Sequence, residues 1–144
     1  MQQIIEQLQS IVGKYKPILE KIDPADFNAK PIPSKWSKKE ILGHLIDSAQ
    51  TNIRRFVMGQ YEEQPYLLYQ QNDWVRISNY QNYPDKDLID LWYLLNKHIC
   101  VVLANTSPDM ARRLVKTDEL HSIEWLANDY NSHLLHHLVH LTQS

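Results

Sequence analysis

Apolar side chains recur at intervals of three and four along four stretches of this chain, and no other feature restricts its fold so tightly. The first stretch carries Ile4, Ile5, Leu8, Ile11, Val12, Tyr15, Ile18, Leu19 and Ile22. The second carries Leu42, Leu45, Ala49, Ile53, Phe56 and Val57, and the third Leu88, Trp92, Leu95, Ile99, Val102 and Leu103. The fourth runs through Ile123, Leu126, Ala127, Tyr130, Leu134, His137, Leu138 and Leu141. An α-helix turns about 100° per residue, so each set forms one apolar stripe that must be buried against another element. Only three glycines among 144 residues leave little material for a turn-rich β protein. The expected fold is all-α, a four-helix bundle forming a single domain over residues 1–144.

Local signals set the helix boundaries. Pro17 is expected to kink the first helix or split off its last turn. A proline-rich connection follows, with Pro24, Pro31 and Pro33, and ends at Trp36. Ser37-Lys-Lys-Glu40 is a capping-box pattern opening the second helix, and Gly59 is its expected stop. Residues 60 to 84 hold Tyr61, Tyr66, Tyr69, Trp74, Tyr80 and Tyr83 among polar residues with no sustained period. A loop of that length is unusual in a compact domain and often functional. It reads as a crossover between the second and third helices, packed over one end of the bundle, with a short helix from Gln70 to Ser78. The third helix is expected from Pro84-Asp85 to Asn105. Ser122 is the expected N-cap of the fourth.

The formal net charge of -2 gives no reason to expect nucleic-acid or anionic-membrane binding. No apolar run approaches the roughly 20 residues needed to span a bilayer. Met1 is followed by polar Gln2-Gln3 and then an amphipathic pattern, so no secretory signal is visible. The lone Cys100 excludes an internal disulfide and suits a reducing compartment. A cytoplasmic protein acting on a small molecule is the expectation, with no nucleic-acid or membrane partner.

The last helix carries the chemistry. Four of the seven histidines fall within eight residues, at positions 133, 136, 137 and 140. His133 and His137, spaced i, i+4, lie on one helical face one turn apart, at the edge of the stripe and on it. His136 and His140 have the same spacing but face away from the bundle. Two such imidazoles can grip one divalent ion, as in zinc peptidase helices, although the glutamate of those motifs is absent here. The second helix offers one histidine, His44, as a third ligand. Three neutral imidazoles suit Zn²⁺, Ni²⁺ or a similar ion and leave a position open for water or substrate. Asp129 and Asp47, one turn from His133 and His44, are candidates to orient those ligands through the second ring nitrogen. Arg55 lies on the His44 side as a candidate anion holder at a pocket mouth, and Trp74 is the crossover aromatic best placed to touch a ligand. From the residues alone, a metal site and a set of satisfied core histidines both stay open.

The run Trp36-Ser-Lys-Lys-Glu40-Ile-Leu-Gly-His44-Leu-Ile-Asp47-Ser-Ala, continued by Asn52-Ile-Arg-Arg55-Phe56, resembles the second helix of the DinB-like superfamily. Asp129-Tyr-Asn-Ser-His133-Leu-Leu-His136-His137-Leu-Val-His140 resembles its last helix, and Asp73-Trp-Val75, Leu91-Trp92 and Asn96 resemble one branch of it. The resemblance covers most of the chain from Trp36 onward. It implies an up-down-down-up four-helix bundle, commonly dimeric, with the metal on His44, His133 and His137. Relatives include bacillithiol- and mycothiol-dependent enzymes and metal-dependent hydrolases, which implies a low-molecular-weight thiol or water as the activated group. Many relatives have Gln where this chain has His140, so a second, outward metal site or an alternative register stays open.

Cys100 reads as a buried, inert thiol, Trp36 and Trp92 as core anchors, and His98 and His121 as exposed. Two further readings compete with the enzyme. One is a non-catalytic dimeric scaffold for stress response or metal binding. The other is a metal-free histidine pH sensor.

Overall fold

The computed structural model describes residues 1–143. Four long helices form the bundle: α1 (Gln2–Glu20), α3 (Lys38–Met58), α5 (Asp85–Ala104) and α7 (Ile123–Leu141). Shorter elements join them: α2 (Pro24–Asn28), α4 (Gln71–Ser78), a 3₁₀ turn (Tyr80–Asn82), α6 (Pro108–Ala111), and strands β1 (Leu114–Lys116) and β2 (Leu120–Ser122). Pro17 does not end α1, which continues to Glu20. The stripes converge on one core in which Leu8, Leu42, Leu88, Trp92, Ile123 and Leu138 are wholly buried. Ile18 and Val57, at the stripe edges, are exposed.

Polar contacts at the helix ends fix the topology. Lys39 pairs with Asp85 at 2.7 Å, joining the starts of α3 and α5, and Gln60 donates to Thr106 at 3.2 Å beyond their ends. These two helices are therefore parallel. Lys16, late in α1, pairs with Asp90, early in α5, so α1 and α5 are antiparallel. The Met1 ammonium meets Glu124 in the first turn of α7, which makes α1 and α7 parallel. The order is up-down-down-up, with α1 packed on α5 and α7, and α3 packed on both as well.

Parallel neighbours explain the long crossover, because the chain must return the length of the bundle between Met58 and Asp85. It is tied down on the way. Leu67 N–H donates to the Lys116 carbonyl at 3.0 Å, and Lys116 N–H donates to the Pro65 carbonyl at 2.9 Å. Lys116 belongs to an antiparallel hairpin in which Val115 faces His121. No strand is expected from the sequence between Asn105 and Ser122. The sequence does place the short helix of the crossover, seen as α4.

Gly59 caps α3 with φ -59°, so no left-handed turn requires it. Space does. A Cβ there would lie 2.7 Å from Val115 Cγ2 and 2.8 Å from the Arg55 carbonyl oxygen.

Candidate metal centre

Helix α3 starts with the capping box that its sequence announces. Glu40 N–H donates to Ser37 Oγ at 3.0 Å, and Ser37 N–H donates to Glu40 Oε1 at 3.0 Å. Lys30 adds an ion pair to the same carboxylate at 2.6 Å. This fixes the first turn, and the next turn carries His44, which is 2% exposed. On α7, Ser122 accepts from Trp125 N–H at 3.0 Å and sets the register. Tyr130, Leu134, Leu138 and Leu141 then fill the core while His133 and His137, half-buried at the stripe's edge, turn toward α3.

The three rings meet through their Nε2 atoms. His44 Nε2 lies 3.4 Å from His133 Nε2, which lies 3.2 Å from His137 Nε2. One nitrogen from each histidine lies within 4.8 Å of the others. Nitrogens about 2.0–2.1 Å from a tetrahedral zinc ion sit about 3.3 Å apart, so two edges of this triangle already match an N₃ set. A neutral imidazole nitrogen carries either a proton or a lone pair, so His133 Nε2 cannot satisfy both neighbours by hydrogen bonding. A cation facing three lone pairs satisfies all of them.

Electrostatics favours the ligating form. Burial, then the neighbouring imidazoles, pushes His44 and His137 down to about 4. His133 is lowered chiefly by burial, against the opposing pull of Asp129. All three are neutral near pH 7, with the lone pair available.

The surroundings differ from the sequence expectation in several places. Asp47 makes no hydrogen bond to His44. It is fully buried, and its Oδ1 accepts from the Tyr80 hydroxyl at 2.5 Å. Burial raises this carboxyl to about 6, although the Tyr80 hydrogen bond opposes the rise. The group beside His44 Nδ1 is instead the Tyr69 hydroxyl, at 3.4 Å. Burial and the Asp47 charge push Tyr69 up to about 12, so it is a neutral phenol that can accept the Nδ1 proton. Asp129 is exposed and forms no hydrogen bond with His133, acting on it through its charge alone. Trp36 packs on the His44 ring at 5.1 Å rather than in the deep core. Trp74 is 38% exposed and reaches the site only through an edge contact with Tyr69. His121 is half-buried and stacked on Trp125, not free in solvent as expected.

A cavity of about 160 Å³ opens from His44 and His133 toward Arg55, with Ser48, Asn52 and Tyr69 on its walls. Helical spacing puts Ser48 on the side of His44 and Arg55, but Ser48, Asn52, Tyr69 and Tyr80 are not among the expected site residues. One signal pointed to Tyr80: Gly43, a glycine inside a helix beside the ligand candidate. A Cβ at Gly43 would overlap the Tyr80 ring, so glycine is what lets the crossover lie against α3.

The family described as the DinB superfamily matches residues 7–141. A protein of Oceanobacillus iheyensis, whose name places it provisionally among metal-dependent hydrolases, is 31% identical over 110 residues. That match takes in 74% of this chain and 63% of the relative, so the chain spans under two thirds of the relative's length. Among solved structures, YfiT of Bacillus subtilis, described as a probable metal-dependent hydrolase with an unusual four-helix bundle topology, superposes with a TM-score of 0.87. It is 20% identical, with 98% of this chain and 83% of YfiT covered. A mycothiol-dependent maleylpyruvate isomerase gives 0.81 at 16% identity, over 97% of this chain and 60% of the isomerase. At these identities the superpositions speak for the fold.

Proposed function

Because the chain belongs to the DinB superfamily, we propose that it is a divalent-metal enzyme whose centre is His44, His133 and His137. The observation that carries this reading is the meeting of three neutral imidazole nitrogens from two helices within 4.8 Å of one another, with two of the separations at the spacing of a tetrahedral N₃ set. The names of the Oceanobacillus relative and of YfiT support metal-dependent hydrolysis, and the isomerase supports a thiol cofactor. His44, His133 and His137 would hold a Zn²⁺ or Ni²⁺ ion, and such an ion would supply Lewis acidity for activating water or a low-molecular-weight thiol toward a small electrophile.

The chain's own residues do the rest. Tyr69 holds the proton-bearing Nδ1 side of His44, which keeps the Nε2 lone pair on the centre. Trp36 covers one face of that ring. Asp129 adds negative charge near His133 at the solvent side, and the cavity toward Arg55 leaves room for a ligand. Tyr130 is fully engaged with Asn96 at 2.6 Å and serves as wall rather than acid. A homodimer in the cytoplasm, acting on a small molecule without nucleic acid or membrane, completes the proposal. Among the described residues no helix is long and apolar enough to cross a membrane.

The test is metal content by mass spectrometry on untagged protein beside His44→Ala and His137→Ala. About one bound ion per chain, lost in both variants, is expected. Metal retained in both, or none in the parent, returns the histidines to the core and gives the scaffold reading the lead.

A further inference from the structure

The geometry points to a carboxylate subsite: we infer that Arg55 binds the anionic end of a small carboxylate whose reacting group meets the three histidines. The inference rests on the metal-centre reading for that second half only. Arg55 is a half-buried cation, and none of the ion pairs among the described residues includes it. Its Nε and Nη2 both donate to the Leu67 carbonyl, at 3.0 and 2.9 Å, and Nη1 donates to Asn52 Oδ1 at 3.4 Å. A guanidinium has five N–H groups, so two stay free, one on each terminal nitrogen. The backbone carbonyl holds the group rigidly, as a bidentate receptor requires.

The cavity that Arg55 lines is the one that His44 and His133 line. Ser48 lies between them, one turn beyond His44 on α3. Its hydroxyl oxygen takes a long contact from Asn52 Nδ2 at 3.4 Å, which leaves its own proton free to donate. The only carboxylate on the cavity wall is Asp129, exposed on the α7 side; its charge and that of Asp118 reach Arg55, but neither forms an ion pair with it. A volume of about 160 Å³ is below the roughly 300–1,000 Å³ of ordinary ligand clefts, so the cavity takes one end of a ligand. A carboxylate offers two acceptor oxygens in one plane, the complement that a guanidinium with two uncommitted N–H groups can take.

The test is calorimetric titration of protein, both metal-loaded and chelator-treated, with pyruvate, mercaptoacetate, acetamide and inorganic phosphate. Metal content is measured on every sample. Both carboxylates are expected to bind and acetamide not to. Whichever carboxylate gains more from added metal identifies the acid carried on a carbonyl compound or on a thiol as the ligand type. Arg55→Gln should weaken both by about 10-fold or more, the worth of a charge-assisted hydrogen bond. Asn52→Asp, which pairs the guanidinium internally without deleting it but gives up the Asn52 Nδ2 bond to the Ser48 carbonyl, should do the same, with a melting curve recorded beside it to show that it is folded. Acetamide binding as well as pyruvate, phosphate binding more tightly than either carboxylate, or no loss in the two folded variants overturns the subsite. Arg55-dependent binding in a protein that takes up no metal supports the subsite and removes the metal centre instead.

Discussion

Helix α7 carries two histidine pairs with the same i, i+4 spacing, set about 60° apart around the helix. The outer pair, His136 and His140, is exposed, and its rings stack at 5.7 Å with solvent beyond. The inner pair, His133 and His137, meets edge to face at 4.6 Å and is joined by His44 from α3. Spacing alone gives both pairs the same chelating geometry. What separates them is the neighbouring helix, which supplies a third nitrogen and removes water. A metal motif on a helix is thus half a site, and the packing partner is the other half.

The sharpest way to break the comparison is to exchange the pairs' fates. His133→Ala should cost metal affinity by more than the 10- to 100-fold typical of losing an outer hydrogen-bond partner. A His136→Ala/His140→Ala protein should keep one ion per chain. Metal lost from the His136→Ala/His140→Ala protein and kept by His133→Ala, measured by competition with a chelator, would put the ion on the outer pair.

The pairs should also differ in pH dependence. The folded values of His44 and His137 are depressed from the ordinary 6.5 to about 4. Between those limits the unfolded chain binds more protons, so the stability of chelator-treated protein should rise as pH rises from about 4 to 6.5, then level off. Asp47 acts in the opposite direction. Its folded value is raised from 3.8 to about 6, so it removes some of the gain over that interval. Denaturant melts across this range should flatten in His137→Ala and lose only a small part of their slope in His136→Ala/His140→Ala, because burial outranks the outer imidazoles in lowering His137. A slope unchanged in His137→Ala would mean that the inner histidines are not the groups sensed.

Two glycines extend the same lesson to the fold. Gly13 on α1 has nothing within 4 Å of a Cβ, whereas Gly43 on α3 lies under the Tyr80 ring. Gly13→Ala should stabilise by about 0.5–1 kcal/mol, the helix-propensity difference. Gly43→Ala gains the same propensity but must displace a buried ring, at about 1–3 kcal/mol, and should be neutral to destabilising by about 2 kcal/mol. Thermal melts of the pair decide it, and equal gains would show that the crossover does not press on α3.

Period and spacing carried a definite part of the structure. The stripes placed four helices, the capping box placed the start of α3, and the inward faces picked His44, His133 and His137 from seven histidines. Contacts made between distant segments stayed hidden. Val115 and His121 pair in strands of three residues, too short to show alternation, around a turn of Thr117, Asp118 and Glu119 that has no glycine. The sequence puts Asp47 one turn from His44, yet its carboxylate answers to Tyr80, 33 positions away. Tyr69 stands in an aperiodic crossover whose path depends on pairing with Lys116. Local physics picks out the candidate ligands and misses what surrounds them.

Tyr69 gives the finest test of that division. Its hydroxyl contacts only the far nitrogen of His44 and cannot touch an ion on Nε2, so its effect must pass through the ligand's orientation and tautomer. Tyr69→Phe keeps the ring, and with it the edge contact to Trp74 at 5.7 Å, so folding should change little. Metal affinity should fall by about 10-fold, the lower end for losing such a partner. The residual protein should show His44 Nδ1 released, visible as a changed ring-nitrogen shift by NMR, while His133 and His137 keep theirs. If affinity and the His44 signal both stay put, the 3.4 Å contact is a neighbour without a role. The ring would then be held by Trp36 and by its own burial.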